Sequence, residues 1–273
     1  IIGHGFVGKA VEHGFTNENV NLHIVDPVYD TSVEDLKDKK IDISFVCVPT
    51  PMGETGEINI SIAESVINYC KENVSGLIVL KSTVTPNYIK EFADNDSNFI
   101  YNPEFLVERR ANFDFVNPIM HVFGGEREST EHLEQIYFIY SNCKPCSVFH
   151  MKAHEASFVK YSMNTFLASK VLWFNQFYDI IEQFGNSDYN TIMKAVGHDE
   201  RIGMSHTMVP GFDGKRGFGG PCFPKDVLAF IKFTKEYEQT MSVLENVHSS
   251  NVEYRQQYEL CDREKEQNIS YKD

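Results

Sequence analysis

Positive charge is what this chain has least of: 25 Lys and Arg stand against 39 Asp and Glu, a formal charge of −14. Nucleic-acid binding rests on a basic face that neutralises phosphates, so this balance argues against a nucleic-acid partner. A small anionic ligand remains compatible, because a few local donors hold a phosphate against an unfavourable net field. No apolar run reaches the length that crosses a bilayer, so no membrane partner is expected. The six cysteines (Cys47, Cys70, Cys143, Cys146, Cys222, Cys261) follow no disulfide-framework spacing, and with no leader segment in view they read as cytosolic thiols. Internal repeats and low-complexity tracts are also missing. The chain opens on Ile1 inside what reads as a first strand, so any targeting segment ahead of it is unreadable.

What is present describes a folded protein. Hydrophobic residues at 42% exclude a disordered chain, and 273 residues leave room for two domains. Short apolar runs at 1–3, 22–26, 43–48, 77–80, 99–101, 120–123 and 147–150 alternate with helical patterns at 7–13, 60–73, 86–93 and 130–141. Strands alternating with helices imply an α/β fold with a parallel sheet covered on both faces. From Ala153 to about Phe184 the texture becomes one long helix, with Ala156, Val159, Met163, Phe166, Leu167, Val171 and Phe174 recurring at three-to-four spacing as its apolar face. A helix at 189–196, a Gly- and Pro-containing loop at 203–220, a helix after Pro224 and a last one near 241–260 follow. The residues from Asp262 onward are polar and expected to fray.

Four stretches carry chemistry. Gly3-His-Gly-Phe-Val-Gly8 follows Ile1-Ile2 and opens a helix, the context in which glycines allow a tight turn and the helix N-terminus receives a pyrophosphate. Asp26 ends the next strand, where a carboxylate accepts from a ribose 2′-hydroxyl and repels a 2′-phosphate, favouring NAD over NADP. Lys160 and Asn164 share a helix face, either as an oxyanion clamp or as a solvated surface pair. Glu104 and Glu108 follow a strand at the sheet's carboxyl edge, where they serve either as a base or as helix-dipole acids, and Thr83 ends a strand on that edge. In Gly217-Phe-Gly-Gly-Pro-Cys-Phe-Pro-Lys-Asp226, Pro224 suits a helix start. Cys222 then lies just ahead of a helix N-terminus with Lys225 beside it, the setting of a nucleophilic thiolate. No metal is expected: Cys143, Cys146, His150 and His154 are spaced too tightly for a zinc site and fall on different elements.

Seven segments in order, IIGHGFVGKA, SFVCVPTP, KSTV, YNPEFLVE, FVKYSMNTFLASK, DERIG and GFGGPCFPKD, resemble the UDP-glucose/GDP-mannose dehydrogenase family from residue 1 to about 230. The last is the most specific. The resemblance implies a Rossmann-type doubly wound parallel sheet over 1–150, an all-helical domain with one long central helix over 151–240, and a connecting helix with a polar tail over 241–273. It implies NAD, held by Gly3, Gly5, Phe6, Val7, Gly8, Asp26, Pro49, Thr50 and Thr83, and a nucleotide-sugar substrate, UDP-glucose foremost. The implied reaction is a two-step, four-electron oxidation of a primary alcohol to a carboxylate through a Cys222 thiohemiacetal and thioester. Lys160 and Asn164 stabilise the oxyanion, Asp226 and Thr83 handle the alcohol proton through a water or carboxylate, and Glu104 or Glu108 activates the hydrolytic water. Glu104, Phe105, Leu106, Lys160, Asn164, Gly217, Phe218 and Gly219 contact the substrate by the same resemblance, and Arg201 reaches a neighbouring subunit's site in a homodimer built on the long helix.

Departures from the family pattern are Pro221 in place of a small polar residue, Arg109-Arg110 in place of glycine, and a long 203–217 loop. The usual family chain also continues into a second Rossmann-like domain, whereas this sequence stops at Asp273. Two other readings stand beside the first: a single-step β-hydroxyacid-type dehydrogenase, and a module that binds NAD without catalysis.

Overall fold

Short runs of β-branched and aromatic residues build one sheet. The structure, a computed structural model that describes residues 1–271, contains strands β1 (Ile43–Val46), β2 (Leu77–Leu80), β3 (Phe99–Tyr101), β4 (Met120–Gly124) and β5 (Ser147–Met151). They lie side by side in chain order, all parallel except β3 and β4, which meet antiparallel through Tyr101 and Gly124. Ile2 bridges in parallel to both Val25 and Val46 and so carries the sheet past β1. The expected strands at 1–3 and 22–26 therefore shrink to single bridges. Gly3 turns out of extended conformation at φ +87, and Pro27 opens a helical turn directly after Asp26.

Side chains alternate across this sheet, as the two-residue period of a strand requires. Ile78 and Leu80 of β2 join one buried cluster with Ala63, Ile67 and Cys70 of α2 (Ser61–Asn73) and Ile89 of α3 (Pro86–Ala93). Leu77 and Val79 join the other, with Val11 and Phe15 of α1 (Phe6–Phe15), Phe115 of α4 (Ala111–Val116) and Leu133 and Tyr137 of α5 (Arg127–Tyr140). Both faces are covered, which is the doubly wound arrangement. These elements and the start of α6 (Ala153–Phe184) form the first of two compact units, Ile1–Thr50 with Asn59–Lys160.

The second unit is helical. It takes α6 from Tyr161 onward, α7 (Tyr189–His198), α8 (Phe223–Glu236), α9 (Ser242–Arg255), α10 (Asp262–Glu266) and one excursion from the N-terminal half, Pro51–Ile58. Tyr161 stacks on Phe230 with ring centroids 5.2 Å apart, joining α6 to α8. Phe166, expected on the apolar core face of α6, is instead exposed.

The expected fraying after Asp262 does not occur among the described residues. Glu264, Ile269 and Tyr271 are buried. Ile269 and Tyr271 cluster with Met52, and the Met52 N–H donates to the Gln267 carbonyl at 3.0 Å. A polar segment is ordered here because its few apolar residues find a partner far away in sequence. Ile269→Ala should therefore lower stability by about 2–4 kcal/mol, the cost of a buried aliphatic truncation. An unfolding free energy from urea titration unchanged within about 0.5 kcal/mol, the surface-site value, would mean a loose tail.

Candidate active site

The first unit places its ligand-ready groups at the carboxyl ends of the strands. Chain order reverses at Ile2, whose neighbours are Val25 on one side and Val46 of β1 on the other, and such a switch point opens a crevice for ligands. The turn after Ile2 fills it. A Cβ on Gly3 would lie 2.7 Å from the Cys47 carbonyl oxygen, and one on Gly8 would lie 2.1 Å from the Gly3 carbonyl oxygen. Both glycines are there because backbone packs on backbone. Gly5 is different: a Cβ there meets nothing within 4 Å. It caps α1, whose first turn carries no acidic side chain, so the N–H groups after it face an open cradle suited to a pyrophosphate.

Asp26 stands beside that cradle. Its Oδ2 accepts from the His4 N–H at 2.6 Å and its Oδ1 from the Val28 N–H at 2.9 Å. Each oxygen keeps a further lone pair for a ribose hydroxyl. The His4 ring lies 2.8 Å from the Tyr29 hydroxyl and 2.9 Å from Glu12 Oε2, tying the turn to α1. Of the other expected cofactor residues, Phe6 and Val7 are half-buried in the first turn of α1, Pro49 is exposed, and the buried Thr50 donates through Oγ1 to the Thr83 carbonyl at 2.9 Å.

The segment after β3 carries the first charged pair. Lys160 Nζ donates to Glu104 Oε1 at 3.1 Å and to the Glu104 carbonyl at 2.5 Å, and both side chains are buried. Glu104 Oε2 accepts from the Leu106 N–H at 2.7 Å, and the Phe105 ring centre lies 5.5 Å from Lys160 Nζ. Glu104 and Lys160 thus come together, whereas Glu108 is exposed in the helical turn that follows. Beneath them, buried Lys81 donates to Asn102 Oδ1 at 2.8 Å and its carbonyl at 3.2 Å, which anchors the segment leading to Glu104. Burial pulls the Lys81 ammonium down to about 8 despite opposing attraction from Cys47 and Glu104.

The second unit holds the thiol. Cys222 is the N-cap of α8 and half-buried, and the helix begins at Phe223, with Pro224 in its first turn rather than at its first position. Two residues on, the buried Asp226 carboxylate accepts from Lys225 Nζ at 2.6 Å on Oδ1 and from Asn164 Nδ2 at 2.6 Å on Oδ2. Lys225, expected to act beside the thiol, spends this contact on its neighbouring carboxylate. Burial pushes the Cys47 and Cys70 thiols up to about 11 and raises those of Cys143 and Cys146. Those four stay protonated at neutral pH, whereas Cys222 stands where helix N–H dipoles favour negative charge.

The loop ahead of Cys222 is held by side chains that sequence reasoning missed. The Gly217 N–H donates to Asn175 Oδ1 at 3.0 Å. Asn251 accepts from the Phe218 N–H at 2.7 Å and donates to the Phe218 carbonyl at 2.9 Å. A Cβ on Gly217, at φ +71, would meet Asn251 Oδ1 at 2.5 Å. The signal was available: asparagine is a poor helix-interior residue, so its presence within α6 and α9 asks for another use. Arg216 supports the same loop, bonded to Asn175 and Asp179 and lying between the Tyr178 and Tyr254 rings. Arg201 is not drawn in; it is exposed and paired with Asp199. Among the described residues no three His, Cys, Asp or Glu side chains converge to hold a metal, and no helix is long and apolar enough to cross a membrane.

Comparison with known proteins agrees with this geometry. Residues 30–143 match the NAD binding domain of the UDP-glucose/GDP-mannose dehydrogenase family, and residues 154–253 match its central domain. The UDP-glucose 6-dehydrogenase of Rickettsia bellii is 33% identical over 225 residues, which are 79% of this chain and 50% of that protein. The chain thus spans about half the length of the curated relatives it matches. A UDP-glucose dehydrogenase from the archaeon Pyrobaculum islandicum superposes with a TM-score of 0.74 at 26% identity, covering 92% of this chain and 66% of that one. Mycobacterium tuberculosis 3-hydroxyisobutyrate dehydrogenase shares the fold at TM-score 0.70 and 13% identity, covering 99% and 94%. With both domain profiles matched in order and a third of aligned positions identical, the chain belongs to the UDP-glucose/GDP-mannose dehydrogenase family.

Proposed function

We propose that this chain supplies the cofactor-binding and catalytic domains of an NAD-dependent nucleotide-sugar dehydrogenase, with UDP-glucose oxidised to UDP-glucuronate. The observation that carries the reading is Cys222 at the N-cap of α8, followed within one turn by the buried Lys225–Asp226–Asn164 network. A simple alcohol dehydrogenase needs no thiol there; an aldehyde-to-acid step that passes through a thioester does.

NAD⁺, when bound, supplies the hydride acceptor for each of the two oxidations. The residues present suit it: Gly5 leaves the cradle open, and the N–H groups of Phe6 and Val7 and the Asp26 carboxylate are placed for pyrophosphate and ribose. In the first oxidation the sugar's primary alcohol loses a hydride and a proton, the proton passing by a water that the Thr83 hydroxyl positions to the Asp226 carboxylate. Cys222 then adds to the aldehyde carbon, and the oxyanion of the thiohemiacetal is met by donors from Lys160 and Asn164. Loss of the second hydride leaves a thioester on sulfur. Water hydrolyses it, releasing the acid and restoring the thiol. Burial of Glu104 against Lys160 and exposure of Glu108 favour Glu104 as the base for that water. Phe105 and Leu106 flank it, and the 217–219 loop lies along the substrate with its N–H groups at Gly217 and Phe218 already engaged by Asn175 and Asn251. Six thiols in no disulfide suit a reducing, cytosolic setting.

The near end-to-end likeness to 3-hydroxyisobutyrate dehydrogenase motivates a second reading, single-step oxidation of a β-hydroxyacid, which needs no thiol. Stoichiometry separates the two. Wild-type protein should form two NADH per UDP-glucose consumed, and Cys222→Ser should form no acid. One NADH per turn, or acid release at the wild-type rate by the variant, would overturn the thioester route.

The glycine turn makes its own prediction. Gly5→Ala should leave thermal stability unchanged yet weaken NAD⁺ binding at least about tenfold, because the methyl occupies the cradle. Gly8→Ala should destabilise by roughly 1–3 kcal/mol through its clash with the Gly3 carbonyl. Calorimetry with NAD⁺ and melting curves check the pair; equal binding by Gly5→Ala would refute the cradle.

A homodimer on α6 completes the proposal. Phe166, Trp173, Phe177, Ile180 and Phe184 are exposed along the helix at spacings of 7, 4, 3 and 4, one apolar stripe that a second copy of the chain would cover. Arg201, exposed nearby in sequence, is then available to the partner's site. Trp173→Glu should convert the dimer to monomer by light scattering, and a wild-type monomer would sink this part.

A further inference from the structure

The chain from Asn251 onward does more than fill space. Besides the ties from Asn175 and Asp179 of α6, three grips on residues 213–220 come from this C-terminal stretch. Arg255 Nη1 pairs with Asp213 Oδ2 at 2.7 Å, Asn251 clamps the Phe218 backbone, and Glu264 Oε1 accepts from the Gly220 N–H at 3.1 Å. The last grip is built of buried charge. Glu264 Oε1 also accepts from Arg255 Nη2 at 2.8 Å and from the Tyr271 hydroxyl at 2.8 Å, and Oε2 accepts from the Cys261 N–H at 2.9 Å. Burial alone would raise the Glu264 carboxyl, yet the Cys261 and Gly220 N–H groups, the Tyr271 hydroxyl and the Arg255 charge bring it down to about 2. It therefore stays ionised at any working pH.

The loop backbone rests directly on this ion pair. A Cβ on Gly219 would fall 2.1 Å from Arg255 Nη2 and 2.7 Å from Glu264 Oε1, so only glycine lets the chain pass so close. Cys222 lies two residues beyond the Gly220 N–H that Glu264 holds. A carboxylate with no solvent exposure, no place in the reaction and a direct bond to the thiol's loop is costly to bury unless it earns a structural return.

We propose that Glu264 is a positioning residue, which through the Gly220 N–H holds the 217–222 loop so that Cys222 stays at the head of α8, with Tyr271 and Arg255 orienting its carboxylate. The idea rests on Cys222 being the nucleophile but can be read without turnover. Cys222 alkylation by iodoacetamide, followed by peptide mass spectrometry on the full chain, reports how often the loop opens. Glu264→Ala should speed it roughly ten- to hundredfold, the opening expected when a charged hydrogen bond is lost. Glu264→Gln should fall between Ala and wild type, since an amide oxygen still accepts from Gly220, and Tyr271→Phe should accelerate it by about threefold or more by removing one orienting donor. Cys143 and Cys146, in the other unit, should react at wild-type rates throughout. Where turnover is measured, kcat for acid formation should fall while KM for NAD⁺ holds. If Glu264→Ala does not fold, the Gln and Phe variants decide. Cys222 rates at the wild-type level in both, or a matching acceleration at Cys143 and Cys146, would overturn the proposal. Failure of the chain to oxidise any nucleotide sugar would instead sink the activity reading and leave this comparison standing.

Discussion

One buried carboxylate organises the second unit's chemistry. Asp226 takes an ammonium from Lys225 on one oxygen and an amide from Asn164 on the other. Burying a charge is expensive unless it is paired and hydrogen-bonded, and removing either partner leaves an uncompensated ion. The pair therefore locks the first turn of α8 to α6 and, with it, the direction in which Cys222 leaves the helix. Lys225 cannot be both that partner and a freely mobile neighbour of the thiol. The N-terminus of α8, with Cys222 at its cap, contributes positive potential there.

The first unit solves a different problem with the same means. Its ligand edge is made of loops, and loops drift unless tied. Lys81 holds Asn102, Asn102 leads into Glu104, and Glu104 meets Lys160. The His4 N–H holds Asp26. The Lys81 and Lys160 ties run from buried donors to groups at the carboxyl edge of the sheet, so that part of the edge inherits the rigidity of the core below it. The cost shows in Lys81, whose ammonium burial draws down to about 8.

A good deal of this was legible in the chain. The 3.6-residue period marked α2, α3 and α6 almost to their ends, helped in α3 by Pro86 at its start. The glycine turn, Asp26, Glu104, Lys160, Asn164 and Cys222 stood out because their residue types are unusual where they stand. Phe166 did not, since an exposed apolar side chain has the same spacing as a buried one. Bridges at Ile2 and Val25 were read as full strands because apolar runs do not announce where a turn cuts them short.

The sequence by itself determined the sheet-and-helix alternation, the glycine turn and the choice of candidate reactive groups, all of which depend on neighbours a few residues apart. Only the tertiary structure decided which glutamate is buried, which partner Lys225 keeps, and that Pro51–Ile58 belongs with the helical unit. It alone showed that Glu264, bonded by Tyr271 in a stretch that reads as loose polar tail, grips the loop ahead of Cys222. The Glu104–Lys160, Gly220–Glu264 and Met52–Gln267 contacts join residues 56, 44 and 215 positions apart, and a charged side chain carries no local mark of the partner that makes its burial tolerable.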